Sequence, residues 1–168
     1  TLALLNKVLG PEKVFAFYID SGFGRRHEVK YIKKALTKLG FNNLKILPAS
    51  GVFFKKLQKV VHPEEKRNII GDLFIQIWKK ELKKMRINPK EWILAQGTIY
   101  PDTIETGKTP FADRIKTHHN RVEAVKELIK KEEIIEPLKD LYKDEVRKVG
   151  QNLRLPKEIV WRHPFPGP

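Results

Sequence analysis

The sequence contains no cysteine, a single methionine and no long run of apolar residues. Without cysteine there are no disulfides and no thiolate chemistry, so nothing in the chain requires an oxidising compartment. No stretch approaches the roughly 20 apolar residues that cross a bilayer, and the opening TLALLNKVLG is too short and too soon polar for a signal peptide. These absences predict a soluble, cytoplasmic protein with no membrane partner.

Acidic residues are also scarce relative to basic ones. The chain has 20 aspartates and glutamates and 34 lysines and arginines, which gives a formal net charge of +14 and a pI near 9.9. Such a molecule attracts anions: nucleotides, nucleic acid, an acidic partner or a membrane surface. Many lysines nevertheless fall on one face of helix-like stretches such as YIKKALTKLG, where they solvate a helix surface. Charge alone therefore does not choose among these partners.

What is present is an alternation of apolar strands and amphipathic helices. A chain of 168 residues with 40% hydrophobic content is predicted to form one domain. The strands lack hydrophobic alternation and are separated by helices, which indicates an α/β fold with an open parallel sheet flanked by helices. Helices are predicted over 1–9, 26–39, 52–61, 63–85, 121–129 and 142–153, and strands over 13–20, 43–49, 91–98 and, as a short strand or turn, 132–138.

Two segments break this pattern. Residues 99–120 are rich in proline, glycine, threonine and charge, and a loop of that length within a compact domain is usually functional or disordered. The end of the chain, RHPFPGP, carries prolines at 164, 166 and 168, which are incompatible with a regular helix. We therefore predict a lid at 99–120 and a stiff, extended terminus.

The ends of the predicted strands are candidate ligand sites, because ligands of open parallel sheets bind beyond the carboxyl ends of the strands. Those ends are residues 20–22, 48–50 and 96–98. Asp20 can accept hydrogen bonds from a ribose or adenine, and Gly22 lets a flat base approach the backbone. The competing interpretation is a simple turn in which Asp20 caps the next helix, and for this stretch alone it is favoured. The sequence contains no glycine-rich phosphate loop of the Walker or dinucleotide type.

The predicted lid contains two polar groups. Asp102 and Glu105 share one face if they are helical, where they can bind a hydrated magnesium ion, accept hydrogen bonds or simply form a solvated acidic turn. The second group is IKTHHN, residues 115–120. Its adjacent histidines point in different directions, and neither cysteine nor an HExxH pattern accompanies them, so zinc is disfavoured. Lys116, with imidazole and amide donors beside it, instead suits a phosphate-bearing substrate.

Several segments together resemble one enzyme family. The segments IDSG, EEKRNIIG, LAQGTIYPDTIE, IKTHHN, EPLKDLYKDEVRKVG and WRHPFPGP occur in the order expected for the ATP-pyrophosphatase part of GMP synthase. The resemblance covers nearly all of residues 1–168, and the combination of motifs is highly specific. It implies a Rossmann-like fold of the adenine nucleotide alpha hydrolase type, also called the PP-loop ATP pyrophosphatase fold.

The resemblance implies a carbon–nitrogen ligase that uses ATP and Mg²⁺. ATP would adenylylate the C2 oxygen of xanthosine monophosphate (XMP) with release of pyrophosphate, and ammonia would then displace AMP to give GMP. Nothing here resembles a cysteine-dependent glutaminase, so a glutaminase partner would supply the ammonia. The stretch RVEAVKELI resembles the shorter archaeal form, in which the ATP-pyrophosphatase and the glutaminase are separate polypeptides.

The resemblance also implies roles for individual residues. The matches to ATP-binding positions are Asp20, Ser21, Gly22, Arg25, Gly97 and Lys116. The matches to catalytic positions are Asp102, Glu105, Lys116, His118, His119 and Asn120. The matches to the XMP site are Asp102, Glu105, Arg162, His163, Pro164 and Pro166. Glu28 also matches a family glutamate, and no metal ligand is expected within these residues.

The sequence departs from the family at several points. Ser21 stands where asparagine is more usual, and Phe23 and Gly24 replace a common pair of leucines. The family's pyrophosphate loop, Ser-Gly-Gly-Val-Asp-Ser, and the strand before it are not among these residues, nor is the C-terminal domain that forms a homodimer. We therefore expect a chain truncated at both ends, which forms no GMP by itself.

Three alternatives stay open. The charge of +14 suits a nucleic-acid-binding module, although zinc-finger spacing, an RNP-like aromatic motif and an obvious helix-turn-helix signature are all lacking. A related PP-loop ATP pyrophosphatase with a different acceptor is the alternative among enzymes. A nonenzymatic scaffold that has lost its phosphate loop is the third.

Overall fold

The computed structural model describes residues 1–88, 91–104 and 134–165. These residues form short parallel strands and helices, so the predicted α/β class is confirmed. The chain divides into two compact units, Thr1–Lys55 with Asp144–Pro168 and Lys56–Lys143. Within the described residues the strands pair in two separate two-stranded sheets, one in each unit.

The first unit is built around one parallel strand pair. Its helices and strands are α1 (Leu2–Leu9), β1 (Ala16–Asp20), α2 (Glu28–Lys38), β2 (Leu44–Pro48), α3 (Ser50–Leu57), α6 (Lys143–Asn152) and α7 (Lys157–Val160), with a short 3₁₀ turn at Pro11–Lys13. The first six were predicted with small shifts of their ends, whereas α7 was not predicted. The 3₁₀ turn takes up the predicted start of the first strand, so β1 begins three residues later than expected.

The strands β1 and β2 run parallel in a register that joins Ala16 to Leu44 and Asp20 to Pro48. Both strands therefore end at the same edge of the sheet. Just past that edge, the Ala49 N–H donates to the Asp20 carbonyl oxygen over 2.9 Å, which carries the pairing into the first residue after β2. The parallel arrangement predicted for these two strands is confirmed.

Gly40 ends α2 by adopting a left-handed conformation, with φ at +79°. The Gly40 N–H donates to the Thr37 carbonyl and the Phe41 N–H to the Leu36 carbonyl, each over 3.0 Å. These bonds satisfy carbonyls that the helix end leaves open, and glycine adopts the required φ without steric cost. The predicted stop at Gly40 is confirmed, and it turns the buried Phe41 inward before β2.

The second unit contains α4 (Pro63–Lys84), β3 (Leu94–Ala95), α5 (Tyr100–Ile104) and β4 (Ile134–Ile135). Pro63 occupies the first turn of α4, where its missing N–H costs nothing. Glutamates lie in the first turn of this helix and lysines in the last, which suits the helix dipole at both ends. The predicted helix over 63–85 is confirmed to within one residue.

The strand predicted over 91–98 is much shorter in the structure. Among the described residues, Leu94 and Ala95 pair, parallel, with Ile134 and Ile135. The partner strand is followed at once by Glu136 and Pro137, and a proline cannot donate to a ladder. The prediction of a buried strand was also wrong, because Ile93 is 59% exposed and Leu94 and Ala95 are only half-buried.

The predicted lid over 99–120 begins as a helix rather than a loop. Tyr100–Ile104 forms α5, and the remainder, like the predicted helix over 121–129, lies outside the described residues. At the end of the chain, residues 162–165 form no helix, as their prolines predict.

Each unit has its own buried apolar side chains. In the first unit they are Phe41, Leu47, Ala49 and the fully buried Phe53. In the second they are Ile70, Leu73, Ile75 and Leu138.

Replacing Gly22 by alanine is expected to lower the free energy of unfolding by about 2–4 kcal/mol. Gly22 has φ at +83°, and an added Cβ would lie 2.6 Å from Phe54 Cζ and 2.7 Å from Ser50 Cβ in α3. Urea unfolding followed by circular dichroism measures the change. The matched control is Gly51→Ala, because nothing lies within 4 Å of an added Cβ there and alanine favours the helix by roughly 0.5–1 kcal/mol. Equal stability of the two variants would contradict the assigned packing.

Candidate functional site

The turn after β1 contains the first group of predicted site residues. Asp20 Oδ1 accepts a hydrogen bond from the Gly22 N–H over 3.0 Å, and Ser21 Oγ lies 3.5 Å from the Phe23 nitrogen that donates to it. The side chains of Asp20 and Ser21 thus fold back on their own turn. Asp20 does not cap the next helix, because α2 begins after His27 and has no side-chain cap.

Gly22 is required for packing rather than for open space. Its φ of +83° and the short distances from an added Cβ to Ser50 and Phe54 show that the turn lies directly on α3. Phe23 continues this contact, with its ring edge-on to Phe54 at 5.0 Å between centroids. The glycine that the sequence suggested for the approach of a base therefore also joins the ends of β1 and β2 to the helix that follows.

Arg25, predicted to contact ATP, binds the C-terminal segment in this structure. Its Nη2 donates to the His163 carbonyl oxygen over 2.5 Å. Its guanidinium lies 4.7 Å from the centroid of the Phe165 ring, in a cation–π contact. These partners are 138 and 140 residues away in sequence, and no local pattern indicates them.

Arg162, predicted to contact XMP, forms an ion pair with Glu28. Arg162 Nη2 and Glu28 Oε2 are 2.6 Å apart, and the Glu28 side chain is only 14% exposed. The same guanidinium lies 4.7 Å from the centroid of the Tyr31 ring. The structure thus brings Arg25 and Glu28, at the start of α2, together with Arg162 and His163. Pro164 is exposed beside them, and its carbonyl lies 2.9 Å from His163 Nδ1.

Tyr18 lies near the same charged groups. Burial raises the pKa of its phenol above the ordinary 10.0, and the negative charges of Glu28 and Asp20 raise it further, while Arg162 opposes them. Tyr18 and Asp20 are two residues apart on β1 and so point to the same face. The carboxyl end of β1 therefore has a polar cluster formed by Tyr18, Asp20, Glu28 and Arg162.

The second unit has its own polar contact past the strand ends. Thr98 is completely buried, and its Oγ1 donates to Glu136 Oε1 over 2.5 Å. The Gln96 N–H donates to the Ile135 carbonyl over 3.0 Å. The residues just after β3 therefore lie beside Glu136, which comes just after β4. Gly97, predicted to contact ATP, is exposed between them. Sequence reasoning missed Glu136, although it lies in the motif EPLKDLYKDEVRKVG.

Asp102 lies in α5, whereas Glu105, with which it was predicted to share a helical face, lies outside the described residues. Its Oδ2 accepts the Ile99 N–H over 3.0 Å, and its own N–H donates to the Ile99 carbonyl over 3.0 Å. Asp102 therefore caps the start of its own helix, as the third-residue acid of a capping box does. The Tyr100 N–H donates to the Leu141 carbonyl over 2.9 Å, and the Tyr100 ring packs edge-on against Tyr142.

Several predicted site residues lie outside the described residues. They are Glu105, Lys116, His118, His119, Asn120 and Pro166. Their assigned roles stay predictions.

Neither a metal-binding cluster nor a membrane-spanning helix is found in the residues that the structure describes. Among the described residues, no group of three or more histidine, aspartate or glutamate side chains could hold a metal ion. In the same part of the chain, no helix is long and apolar enough to cross a membrane.

Comparison with known proteins gives matches along almost the whole chain. A Leptospira interrogans protein named "probable GMP synthase, glutamine-hydrolyzing" is 50% identical over 167 residues, which cover 98% of this chain and 27% of the relative. A Dictyostelium discoideum protein named GMP synthase is 43% identical over 180 residues, which cover 99% of this chain and 25% of the relative. An Aquifex aeolicus protein with the same name is 44% identical over 165 residues, which cover 98% of this chain and 31% of the relative.

This chain is similar to one part of GMP synthases. It spans 24–32% of the length of the curated relatives that it matches. No family model matches the chain. The similarity to GMP synthases extends over 98–100% of the chain.

Thr98→Val is expected to lower the free energy of unfolding by about 1–3 kcal/mol, because it keeps the shape of the buried side chain but removes the donor to Glu136. Thr98→Ser keeps that donor and loses a buried methyl group, which costs about 1 kcal/mol. Urea unfolding of both variants separates the hydrogen bond from the packing. A valine variant as stable as the parent would show that the Thr98–Glu136 contact contributes nothing.

The phenol of Tyr18 is expected to ionise above pH 10.0, and Glu28→Gln is expected to lower its pKa by removing one of the raising charges. Because the folded pKa is raised, the stabilisation is fully present below the unfolded pKa of about 10 and is lost as the pH rises through the folded value. Phenolate absorbance followed during alkaline titration measures this, with Tyr18→Phe subtracted to identify the group. A midpoint that does not move in the Glu28 variant would contradict the cluster.

Proposed function

We propose that this chain is the ATP-pyrophosphatase part of a GMP synthase, with the Rossmann-like PP-loop fold of that family over residues 1–168. The observation that carries the proposal is the 50% identity over 98% of the chain to a relative with that name. The parallel strand pair with a polar turn at its carboxyl end supports it, because that edge is where ligands of open parallel sheets bind.

In the proposed reaction the C2 oxygen of XMP attacks the α-phosphorus of ATP. A bond forms between that oxygen and phosphorus, the bond to the β-phosphate oxygen breaks, and pyrophosphate leaves. Ammonia then attacks C2 and expels AMP, so XMP, ATP and ammonia give GMP, AMP and pyrophosphate. Adenylylation is needed because an oxygen on a purine ring is otherwise a poor leaving group.

Within the first unit, the proposed role of residues 20–22 is to contact the adenosine of ATP. The Asp20 carboxylate is held by the Gly22 N–H, and Gly22 is fixed against α3, so the turn is rigid before any ligand arrives. A preformed site avoids the entropic cost of ordering a loop on binding. Arg162, His163, Pro164 and Pro166 belong to the segment proposed for XMP.

Within the second unit, Asp102 is proposed to act on XMP together with Glu105. The Ile99 N–H fixes the direction of the Asp102 carboxylate, and the Tyr100–Leu141 hydrogen bond holds the start of α5. Lys116 is proposed to neutralise the ATP phosphates, with His118, His119 and Asn120 orienting the substrate. Residues 99–120 would exclude water from the adenylylated intermediate.

The remaining parts of the proposal concern groups outside this chain. A Mg²⁺–ATP complex is the proposed substrate, with no metal ligand assigned to the described residues. A glutaminase partner is proposed to supply ammonia, and a pyrophosphate loop and a homodimer-forming domain are proposed in the gene product. The coverage of 24–32% of the relatives' length supports the existence of further parts.

The test is an assay of the complete gene product. With XMP, ATP, Mg²⁺ and ammonium, we expect GMP, AMP and pyrophosphate in equal amounts, and no product when XMP is omitted. Turnover with another acceptor would favour a related ATP pyrophosphatase. Binding to RNA or DNA with a steep salt dependence, without turnover, would favour a nucleic-acid module.

Lys116→Ala in the complete protein is expected to lower pyrophosphate release about 100-fold or more, the usual loss when one charge-stabilising group is removed. Its midpoint of thermal unfolding is expected to stay unchanged. Lys108→Ala is the matched control, because it removes a lysine from the same segment outside the IKTHHN motif. Equal rates in the two variants would remove the role assigned to Lys116.

A further inference from the structure

Two arginine side chains join the start of α2 to the C-terminal segment, residues 161–165, one from each side. Arg25, just before the helix, reaches the His163 carbonyl and the Phe165 ring. Arg162, in the C-terminal segment, reaches back to Glu28 and the Tyr31 ring. Each side therefore contributes one guanidinium and receives the other.

The Glu28–Arg162 contact is less exposed than an ordinary surface ion pair. The Glu28 and Arg162 side chains are 14% and 30% exposed, so solvent screens their charges less than it screens a fully exposed pair. Arg162 Nη2 donates to the negatively charged Glu28 Oε2, and a hydrogen bond between two charged groups is stronger than a neutral one. In both contacts the guanidinium also lies over an aromatic ring, an arrangement that lysine reproduces poorly.

The residue before Arg162 is held from another side. The Arg147 guanidinium of α6 lies 4.8 Å from the centroid of the Trp161 ring. Residues 161–165 are thus attached to α6 at one end and to the start of α2 along the rest. A segment without helix or strand needs such contacts to keep one conformation, because its backbone lacks a regular hydrogen-bond ladder.

We infer that Glu28 and Arg25 are positioning residues for XMP: they hold Arg162 and the backbone of His163 in the arrangement that receives the substrate. This inference rests on the proposed function, which assigns that segment to XMP. One Arg162 nitrogen is bound by Glu28, and guanidinium has five N–H donors, so a fixed Arg162 retains donors for an anion. In this role Glu28 contacts Arg162 and Arg25 contacts His163 and Phe165, and neither contacts XMP.

The main test compares Michaelis constants in the complete protein. Glu28→Gln is expected to raise the KM for XMP about tenfold, which corresponds to about 1.4 kcal/mol, and to leave the KM for ATP unchanged. Arg25→Lys, which keeps the charge but loses the planar stacking, is expected to act in the same direction. Glu158→Gln, an exposed glutamate of α7, is the matched control and should change neither constant.

A double-mutant comparison tests whether Glu28 acts through Arg162. In an Arg162→Met background, Glu28→Gln should raise the KM for XMP no further, because the group that Glu28 positions is gone. Additive effects, or equal rises for XMP and ATP, would overturn the inference. So would an unchanged KM for XMP in both Glu28→Gln and Arg25→Lys.

Backbone hydrogen exchange provides a readout that does not need activity. The amides of Trp161 and Arg162, which donate to the Lys157 and Ile159 carbonyls, should exchange faster in Glu28→Gln and Arg25→Lys, and at the parent rate in Glu158→Gln. Unchanged exchange would overturn the docking itself. If the complete protein forms no GMP and does not bind XMP, the proposed function fails and the positioning role fails with it. If the parent protein turns over XMP normally and Glu28→Gln and Arg25→Lys leave the KM for XMP unaltered, only the positioning role is overturned.

Discussion

The parallel register of β1 and β2 is the constraint on which the first unit depends. Because Asp20 pairs with Pro48, both strands end at the same edge of the sheet. The turn after β1 then lies on the helix after β2, close enough that only glycine fits at position 22. A different register would separate the Asp20 turn from α3 and change which side chains lie at this edge.

The second unit uses the same physical arrangement on a smaller scale. In the part of the chain that the structure describes, β3 and β4 pair over two residues, and their parallel direction brings the following residues side by side. Thr98 then meets Glu136, and the segment from Gln96 to Asp102 is held by backbone and side-chain hydrogen bonds at several points. Hydrogen bonds beyond the strand ends, from the Gln96 N–H to the Ile135 carbonyl and from Thr98 to Glu136, continue the pairing.

The strong positive charge also serves purposes within the fold. Arg25, Arg147 and Arg162 lie over aromatic rings, and Arg67 pairs with Glu64 along α4. A net charge of +14 therefore does not by itself indicate a nucleic-acid-binding surface. Guanidinium groups suit this internal use because they stack on rings and donate hydrogen bonds at the same time.

Local sequence determined the long helices, the stop of α2 at Gly40, the start of α4 at Pro63 and the parallel α/β class, because glycine stops, first-turn proline and acidic residues act within a few positions of themselves. The motifs likewise indicated the family that the chain resembles, and with it Asp20 and Asp102 as candidate site residues. Only the tertiary structure decided the length of β3, the contact of Thr98 with Glu136, and the pairing of Arg25 and Arg162 with partners more than 130 residues away. Such contacts depend on how distant segments meet, which no local pattern of residues records.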